Sequence, residues 1–326
     1  MDVIAYRLPG AEEKQIYRAE RSAGSLSAPG AKDFAISPFS DTERTALYSL
    51  VEPLPSIPAD VLKRNLKNYD FKELSRPEYF SYIEEIKRKL EGSPDKKVVA
   101  SRRLKVELPI DADKAFRDLC TAYPDAFVFF ISTREFGSWI GASPELLLKS
   151  DGSRLSSVAL AGTRLVSPQR TPWDTKNKLE QAIVTAYIEE AFRNAGLSPQ
   201  VGSPTTLQAG KIEHIKTDIT ASVSPDFNLA ELLRDLSPTP ALAGHPRPLA
   251  LELIQRHEGP RALYGGFLGP VSHRDFNFYV VLRCAFLTPT EATLFAGGGI
   301  TAQSSPEAEW EETNNKFQTL FSILSP

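Results

Sequence analysis

Apolar residues recur at helical spacing in several segments of the chain. The clearest segment is 77–90, where Tyr79, Ile83, Ile86 and Leu90 share one face and Gly92 follows. The same kind of pattern predicts further helices at 111–123, 173–194, 229–236, 248–257 and 306–323, with a short one over 42–51.

Short apolar runs between these segments predict strands. We place them at 97–104, 126–132, 138–142, 279–287 and 292–296, with a loop at 22–30 and a proline-rich connection at 51–58. Residues 127–142 read as an antiparallel hairpin through a turn at 134–137. Strands and helices alternate without a strict βαβ order, which favours an α+β fold with antiparallel sheets. No segment resembles a linker, so residues 1–326 are predicted to form one domain.

The composition mainly excludes certain classes of protein and partner. The 326 residues are 41% hydrophobic and 24% charged, with a net charge of -3, so neither nucleic acid nor a membrane is an expected partner. No apolar run approaches the roughly 18 residues of a membrane span, and the N-terminus lacks a signal-peptide pattern. Cys120 and Cys284 lie in apolar surroundings and are predicted to be buried free thiols. A cytoplasmic enzyme fits these features.

The last predicted helix carries an acidic face. Ser305 suits the N-cap and Pro306 the first helical position. Glu309, Glu312 and Lys316 then lie on one side of the helix. They form either a solvated face with a Glu312–Lys316 pair or part of a ligand site.

Three glycines, Gly297, Gly298 and Gly299, end the strand before this helix, and glycine lets backbone amides approach a ligand closely. An anion bound there would lie beside the acidic face. The run GGGITA also matches a dinucleotide-binding fingerprint. We discount that match because the Ser305 cap starts the helix several residues too late.

A second acidic position is Glu180, which lies among Leu179, Ile183 and Val184. It is either a surface carboxylate or a partly buried one that needs a partner. Glu180 and Glu309 together would offer the hard oxygen ligands that Mg²⁺ prefers.

Two residues are candidates for acid–base chemistry. Glu145 is either in the first turn of a helix capped by Ser143 or a general acid where a strand meets a turn. Lys97 is either a solvated strand start or a base. A base needs its pKa lowered from about 10.4 to about 7–8, which burial in an apolar pocket can achieve.

Three further residues are candidates for substrate binding. Arg283 interrupts an apolar strand and suits either a ligand carboxylate or a structural ion pair. His214 is more often a structural histidine. Thr163 could bond a polar ligand or cap a turn.

Taken in order, short stretches of this chain resemble the chorismate-utilising enzymes. The stretches are KKVVASR, GASPELLL, LAGTR, IEHI, LSPTPALAGHP, YGGFLG, VLRCAFL, FAGGGI and EWEETNNK. The resemblance covers 96–324, whereas 1–95 is matched poorly. It implies a single large unit in which two antiparallel β-sheets pack face to face with helices on the outside.

The resemblance also implies roles. Lys97 would activate water, and Glu145 would protonate the departing hydroxyl. Glu180 and Glu309 would hold Mg²⁺, with Glu312 close to it. The residues implied to bind the substrate are Thr163, His214, Arg283, Gly298, Gly299 and Lys316.

Local sequence features select a subclass, the isochorismate synthases, which add water at C2 of chorismate while the C4 hydroxyl leaves. Ala161 replaces the nucleophilic lysine of aminodeoxychorismate synthases, and no RND motif follows Glu180. The ending around His245 lacks the lysine of the ammonia-using enzymes. We therefore expect no glutamine amidotransferase subunit, and a monomer or weak homodimer. The route is expected to be menaquinone, or else siderophore or salicylate synthesis. The alternative is a salicylate synthase, which also eliminates pyruvate.

Overall fold

The computed structural model describes residues 1–93, 96–167, 171–209, 212–223, 227–273 and 275–324. The strands are β1 (Asp2–Arg7), β2 (Gln15–Arg21), β3 (Asp33–Ser37), β4 (Ala46–Pro53), β5 (Lys97–Glu107), β6 (Phe127–Thr133), β7 (Gly137–Ser143), β8 (Leu146–Asp151), β9 (Arg154–Leu165), β10 (Gln200–Val201), β11 (Thr205–Ala209), β12 (Ile212–Ser222), β13 (Gly244–His245), β14 (Phe267–Ser272), β15 (Asp275–Val280), β16 (Cys284–Leu287) and β17 (Glu291–Ile300). The helices are α1 (Val61–Arg64), α2 (Arg76–Leu90), α3 (Ala112–Ala122), α4 (Thr175–Asn194), α5 (Leu229–Leu236), α6 (Arg247–Glu258) and α7 (Pro306–Leu324).

The described strands pair into one continuous antiparallel system. Its order runs β13–β5–β17–β16–β7–β6–β1–β2 through one half and β4–β3–β14–β15–β8–β9–β12 through the other, with β10 and β11 both on β12. The pairing of β2 with β4 joins the halves. The two sheets expected from the resemblance are thus two halves of one antiparallel sheet.

An aromatic core lies between the two halves. Phe127 of β6 stacks on Tyr279 of β15 with ring centroids 4.3 Å apart and planes 3° apart. Trp139 and Phe295 from the first half, and Phe34 from the second, belong to the same buried cluster. The sheet therefore folds over on itself, because each half buries an apolar face against the other.

The helices cover the outer faces, as expected. One outer cluster packs α3 and α7 on the first half, and another packs α4 and α5 on the second. The predicted apolar face of α2 (Tyr79, Ile83, Ile86 and Leu90) is buried against α6 and β5. A capping box at Ser75 and Glu78 begins α2, with the Ser75 backbone nitrogen 2.9 Å from Glu78 Oε2.

The N-terminal region belongs to the same domain. Strand β1 lies between β2 and β6, and β3 pairs with β14, so this region supplies central strands of the sheet. The helix predicted over 42–51 is wrong. A 3₁₀ turn occupies Thr42–Arg44, and β4 follows it because pairing with β2 and β3 outweighs local helix propensity.

Two other local predictions need correction. The strand predicted over 279–287 is interrupted, since β15 ends at Val280 and β16 begins at Cys284. Glu145 does not lie in a helical turn: it lies between β7 and β8, at the strand-to-turn junction that a general acid would occupy. The hairpin of β6 and β7 is confirmed. Both cysteines are free and buried, as predicted.

Among the described residues, none of the helices has both the length and the apolar character that a membrane span requires.

Candidate active site

A cavity of about 190 Å³ collects side chains from both halves of the sheet and from α4 and α7. The predicted site residues that line it are Lys97, Glu145, Thr163, Glu180, His214, Arg283, Gly299, Glu312 and Lys316. Gly298 and Glu309 are not in this lining but adjoin it, because a Cβ at Gly298 would be 2.6 Å from Glu309 Oε2 and 3.7 Å from Oε1 of the lining residue Glu312. Residues distant in sequence thus converge in one place.

Lys97 and Glu145 are buried in this cavity, with exposures of 2% and 5%. Burial lowers the pKa of the Lys97 amine, although Glu180 and Glu145 oppose this shift. Burial raises the pKa of the Glu145 carboxyl to about 8, and Lys97 opposes that shift. Both groups are therefore driven toward their neutral forms, a free amine and a protonated acid. These are the forms that a base and an acid need before the reaction.

The position of Lys97 depends on a close backbone contact. Lys97 and Val98, the first residues of β5, pair with His245 and Gly244 of β13. Gly244 has a φ of 121°, and a Cβ there would come within 2.3 Å of the Lys97 carbonyl oxygen. Only glycine fits, so Gly244 lets β13 hold the start of β5 in place.

The carboxylates of Glu180 and Glu309 converge from two separate helices. The Nζ atom of Lys176 lies 3.7 Å from Glu180 Oε1 and 3.8 Å from Glu309 Oε1. A Cβ at Gly299 would lie 3.4 Å from Glu180 Oε2. The glycines at the end of β17 therefore leave room for the carboxylates, and the solvated-surface alternative for Glu180 is wrong.

The pKa values of Glu309 and Glu312 shift in opposite directions. Burial, and then the charge of Glu312, raise the pKa of Glu309 to about 7. Ser304 Oγ donates to Glu309 Oε1 at 2.8 Å. The pKa of Glu312 is lowered, chiefly by Lys316, whose Nζ is 2.7 Å from Glu312 Oε1 and 2.7 Å from the Gly297 carbonyl oxygen.

The donor set fits Mg²⁺. Among the described residues, no group of three or more His, Cys, Asp or Glu side chains forms a closed metal centre. Mg²⁺ usually takes one or two protein carboxylates and keeps its other positions for water and substrate oxygens. Glu180 and Glu309 offer such a pair of carboxylates, because Lys176 Nζ lies within 3.8 Å of an oxygen of each.

Arg283 is held in an uncommon backbone conformation, with a φ of 44° between β15 and β16. Burial lowers the pKa of its guanidinium. Within the described ranges, no protein carboxylate lies within ion-pair distance of it, so the alternative of a structural ion pair lacks a partner. A half-buried arginine on a cavity wall, with a positive φ and no carboxylate partner among the described residues, is suited to an anionic ligand.

His214 is neutral in this site. Burial, and then the charge of Arg283, lower the pKa of its imidazole to about 4. Nδ1 lies 3.0 Å from the Gly162 carbonyl oxygen, to which it donates, and 3.2 Å from Thr163 Oγ1. Nε2 is then an acceptor, and it has no hydrogen-bond partner in the described part of the chain. This arrangement could accept a hydrogen bond from a ligand hydroxyl.

Three polar residues that line the cavity, Lys176, Asn177 and Tyr264, were not among the predicted site residues. Lys176, on α4, bridges the carboxylates, and its place one turn before Glu180 was the available signal. Tyr264 is buried, and a Cβ at Gly297 would lie 2.9 Å from its hydroxyl oxygen. Tyr264 begins the stretch YGGFLG, but no local pattern indicated a role for its side chain. Asn177 Oδ1 accepts from the Thr163 backbone nitrogen at 3.0 Å and ties α4 to β9.

A family model described as "Chorismate binding enzyme" matches residues 46–325. The chain is 33% identical over 242 residues to "Isochorismate synthase EntC" of Escherichia coli, an alignment that covers 70% of this chain. It is 29% identical over 296 residues to "Isochorismate synthase MenF" of Bacillus subtilis, over 85% of this chain. It spans 62% and 63% of the lengths of these two relatives.

Solved structures show the same fold. MenF of Escherichia coli, described as the menaquinone-specific isochorismate synthase, superposes with a TM-score of 0.82 at 22% identity, covering 100% of this chain and 89% of that one. DhbC of Bacillus anthracis, described as a putative 2,3-dihydroxybenzoate-specific isochorismate synthase, gives 0.77 at 24% identity, covering 98% and 95%. The chain therefore belongs to the chorismate-binding enzyme family.

Proposed function

We propose that this chain is an isochorismate synthase that isomerises chorismate to isochorismate with Mg²⁺. The observation that carries the proposal is the buried pair of Lys97 and Glu145 in one cavity, with each pKa shifted toward the form its role requires. Relatives named isochorismate synthase support the choice of reaction.

The proposed reaction exchanges one hydroxyl for another. The neutral amine of Lys97 takes a proton from a water molecule as that water adds to ring carbon 2. The ring double bonds shift, and Glu145 gives its proton to the hydroxyl that leaves carbon 4. Lys97 and Glu145 would act from opposite faces of the ring. One water molecule is consumed at carbon 2, and one is released when the departing hydroxyl takes the proton of Glu145.

The other residues would bind and orient the substrate. The planar guanidinium of Arg283 suits a substrate carboxylate, with the backbone amides of Gly298 and Gly299 beside it. His214 Nε2 would accept a hydrogen bond from a substrate hydroxyl, with Thr163 alongside. Glu180 and Glu309 would hold Mg²⁺, with Glu312 and Lys316 close by. When bound, Mg²⁺ would neutralise the ring carboxylate and fix its geometry.

We place the reaction first in menaquinone synthesis, because one similar structure is described as menaquinone-specific. We place it second in a siderophore or salicylate route, because another is described as 2,3-dihydroxybenzoate-specific. We also propose a cytoplasmic enzyme that acts as a monomer or weak homodimer without an amidotransferase partner.

Product analysis tests the reaction. Purified protein is incubated with chorismate, with Mg²⁺ or with EDTA, and products are separated by liquid chromatography. Isochorismate alone, formed only with Mg²⁺, is the expected result. Pyruvate and fluorescent salicylate would instead identify a salicylate synthase. Glu180→Ala should abolish the Mg²⁺-dependent product, and unchanged chorismate in every reaction would refute the proposal.

A further inference from the structure

Lys176 lies in an electrostatically unfavourable place. It is the second residue of α4, where the helix dipole disfavours a positive side chain. Asp174 caps this helix and accepts from the Asn177 backbone nitrogen at 2.8 Å. The Lys176 ammonium lies between the carboxylates of Glu180 and Glu309, and their negative charges offset the unfavourable interaction with the helix dipole.

The contact of Lys176 with these carboxylates is loose. Its Nζ atom is 3.7 and 3.8 Å from the nearest oxygens of Glu180 and Glu309, beyond ordinary hydrogen-bond distance. Its side chain is 46% exposed, whereas those of Glu180 and Glu309 are 12% and 6% exposed. The ammonium therefore enters the carboxylate pair from the solvent side on a flexible stem.

The other lysine beside the carboxylates is held differently. Lys316 Nζ is 2.7 Å from both Glu312 Oε1 and the Gly297 carbonyl oxygen, and its side chain is 29% exposed. Two short hydrogen bonds fix that ammonium in the wall of the cavity. Lys176 has the same charge without such a fixed position, so it can leave at little cost.

We propose that Lys176 is a displaceable counter-ion, whose ammonium holds the Glu180–Glu309 pair until a divalent cation enters and then turns out to solvent. This inference rests on the Mg²⁺ site of the proposed function. Because both cations use the same carboxylates, Lys176 competes with Mg²⁺ and weakens its binding. Removing its charge should therefore tighten Mg²⁺ binding, whereas removing the charge of an ordinary substrate-binding lysine would not.

A matched pair of variants tests this directly. Lys176→Met keeps most of the side-chain length and removes the charge. Lys178→Met makes the same change two residues along the same helix turn, at an exposed position that does not line the cavity. Lys176→Gln serves as a second neutral variant. Calorimetric titration of the full chain with MgCl₂ gives each affinity, and thermal unfolding in EDTA and in Mg²⁺ gives each stabilisation.

The dissociation constant for Mg²⁺ should fall on the order of tenfold in Lys176→Met and Lys176→Gln, since Mg²⁺ no longer has to displace an ammonium from the two carboxylates. Lys178→Met should stay within about twofold of wild type, because an exposed charge is well screened. The rise in unfolding temperature on adding Mg²⁺ should be larger in both Lys176 variants. Unchanged or weaker Mg²⁺ binding in them would overturn the inference.

The chorismate assay separates this inference from the proposed function. Tighter Mg²⁺ binding in both Lys176 variants without any isochorismate from wild type would support the inference and refute the function. Isochorismate from wild type, with equal Mg²⁺ affinity in Lys176→Met and Lys178→Met, would refute the inference alone. Absence of Mg²⁺ binding in every variant would also overturn it.

Discussion

Two buried glutamates near β5 have opposite protonation states. Glu258 and Glu145 are 0% and 5% exposed, and each has a basic side chain nearby. Burial alone would raise the pKa of Glu258, but the charge and hydrogen bonds of Arg261 outweigh burial and hold that pKa below its usual value. At Glu145 burial prevails, and the pKa is about 8.

The difference lies in hydrogen-bond donors. Arg261 donates to Glu258 at 2.8 and 2.6 Å, the Ser101 backbone nitrogen at 2.8 Å and the Tyr82 hydroxyl at 3.1 Å. Within the described residues, no donor is bonded to the Glu145 carboxyl. A buried carboxylate stays ionised only when donors replace the lost water. Glu258, a structural residue, has such donors, whereas Glu145, the proposed acid, has none among the described residues.

Glu258 is connected through Arg261 to the wall of the cavity. Arg261, held by Glu258, donates at 2.7 Å to the carbonyl oxygens of both Leu242 and Val99. Leu242 and Val99 line the cavity, and Val99 lies two residues after Lys97 on β5. A fully paired ionic group therefore fixes the strand that carries the proposed base.

The largest expected effect is on stability. Glu258→Ala leaves the guanidinium of Arg261 buried without its partner and should destabilise the fold by about 3–5 kcal/mol, measured by urea denaturation. Glu145→Gln is the control, and it should cost much less because the native carboxyl is already neutral near pH 7. Equal losses in the two variants would contradict the comparison.

The next effect is on turnover. Lys97→Ala removes the proposed base and should lower kcat at least about 100-fold, with KM changed only a few-fold. The neighbouring lysine gives a matched control, because Lys96 does not line the cavity. Lys96→Ala should keep the wild-type rate. A near-normal kcat in Lys97→Ala would show that another group is the base.

The pH dependence of kcat tests the proposed protonation states of Glu145 and Lys97. Glu145 must hold its proton, and since its pKa is about 8, kcat should fall about tenfold per pH unit above about pH 8. Lys97 must be uncharged, so kcat should also fall as the pH drops below the lowered pKa of this amine. Steady-state rates across pH measure both limbs. An alkaline limb that persists in Glu145→Gln would assign it to another group.

The smallest effect concerns substrate affinity. Arg283→Lys keeps the charge but removes the planar pair of donors, so KM for chorismate should rise about tenfold, the low end of a charge-assisted hydrogen bond. Initial rates over a range of chorismate concentrations give this value. Arg164→Lys is the control, because Arg164 pairs with Glu213 at 2.8 Å and does not line the cavity. An equal change of KM in Arg283→Lys and Arg164→Lys would show that Arg283 does not bind the substrate carboxylate.

Local sequence patterns predicted the helices α2 to α7, but among the described strands they predicted only β5, β6, β7, β15, β16 and β17. Helix α5 has the same bounds as its predicted segment, and α7 ends one residue beyond its own predicted segment. These predictions succeed because apolar spacing and capping residues depend only on neighbours within the same helix. Strand β4 and the break at Arg283 were missed because long-range pairing decides them. Arg261 lies only three residues from Glu258, but the Ser101 and Tyr82 donors are 157 and 176 residues away, so no local pattern indicated the complete set of donors.

The sequence by itself determined the family, the α+β class and the residues with the right chemistry, since these depend on side-chain identity and order along the chain. Only the tertiary structure decided that the carboxylates of Glu180 and Glu309 come close enough for Lys176 to lie between them, and that no donor among the described residues is bonded to the Glu145 carboxyl. Charge, burial and pKa depend on distances between segments remote in sequence, and folding alone sets those distances.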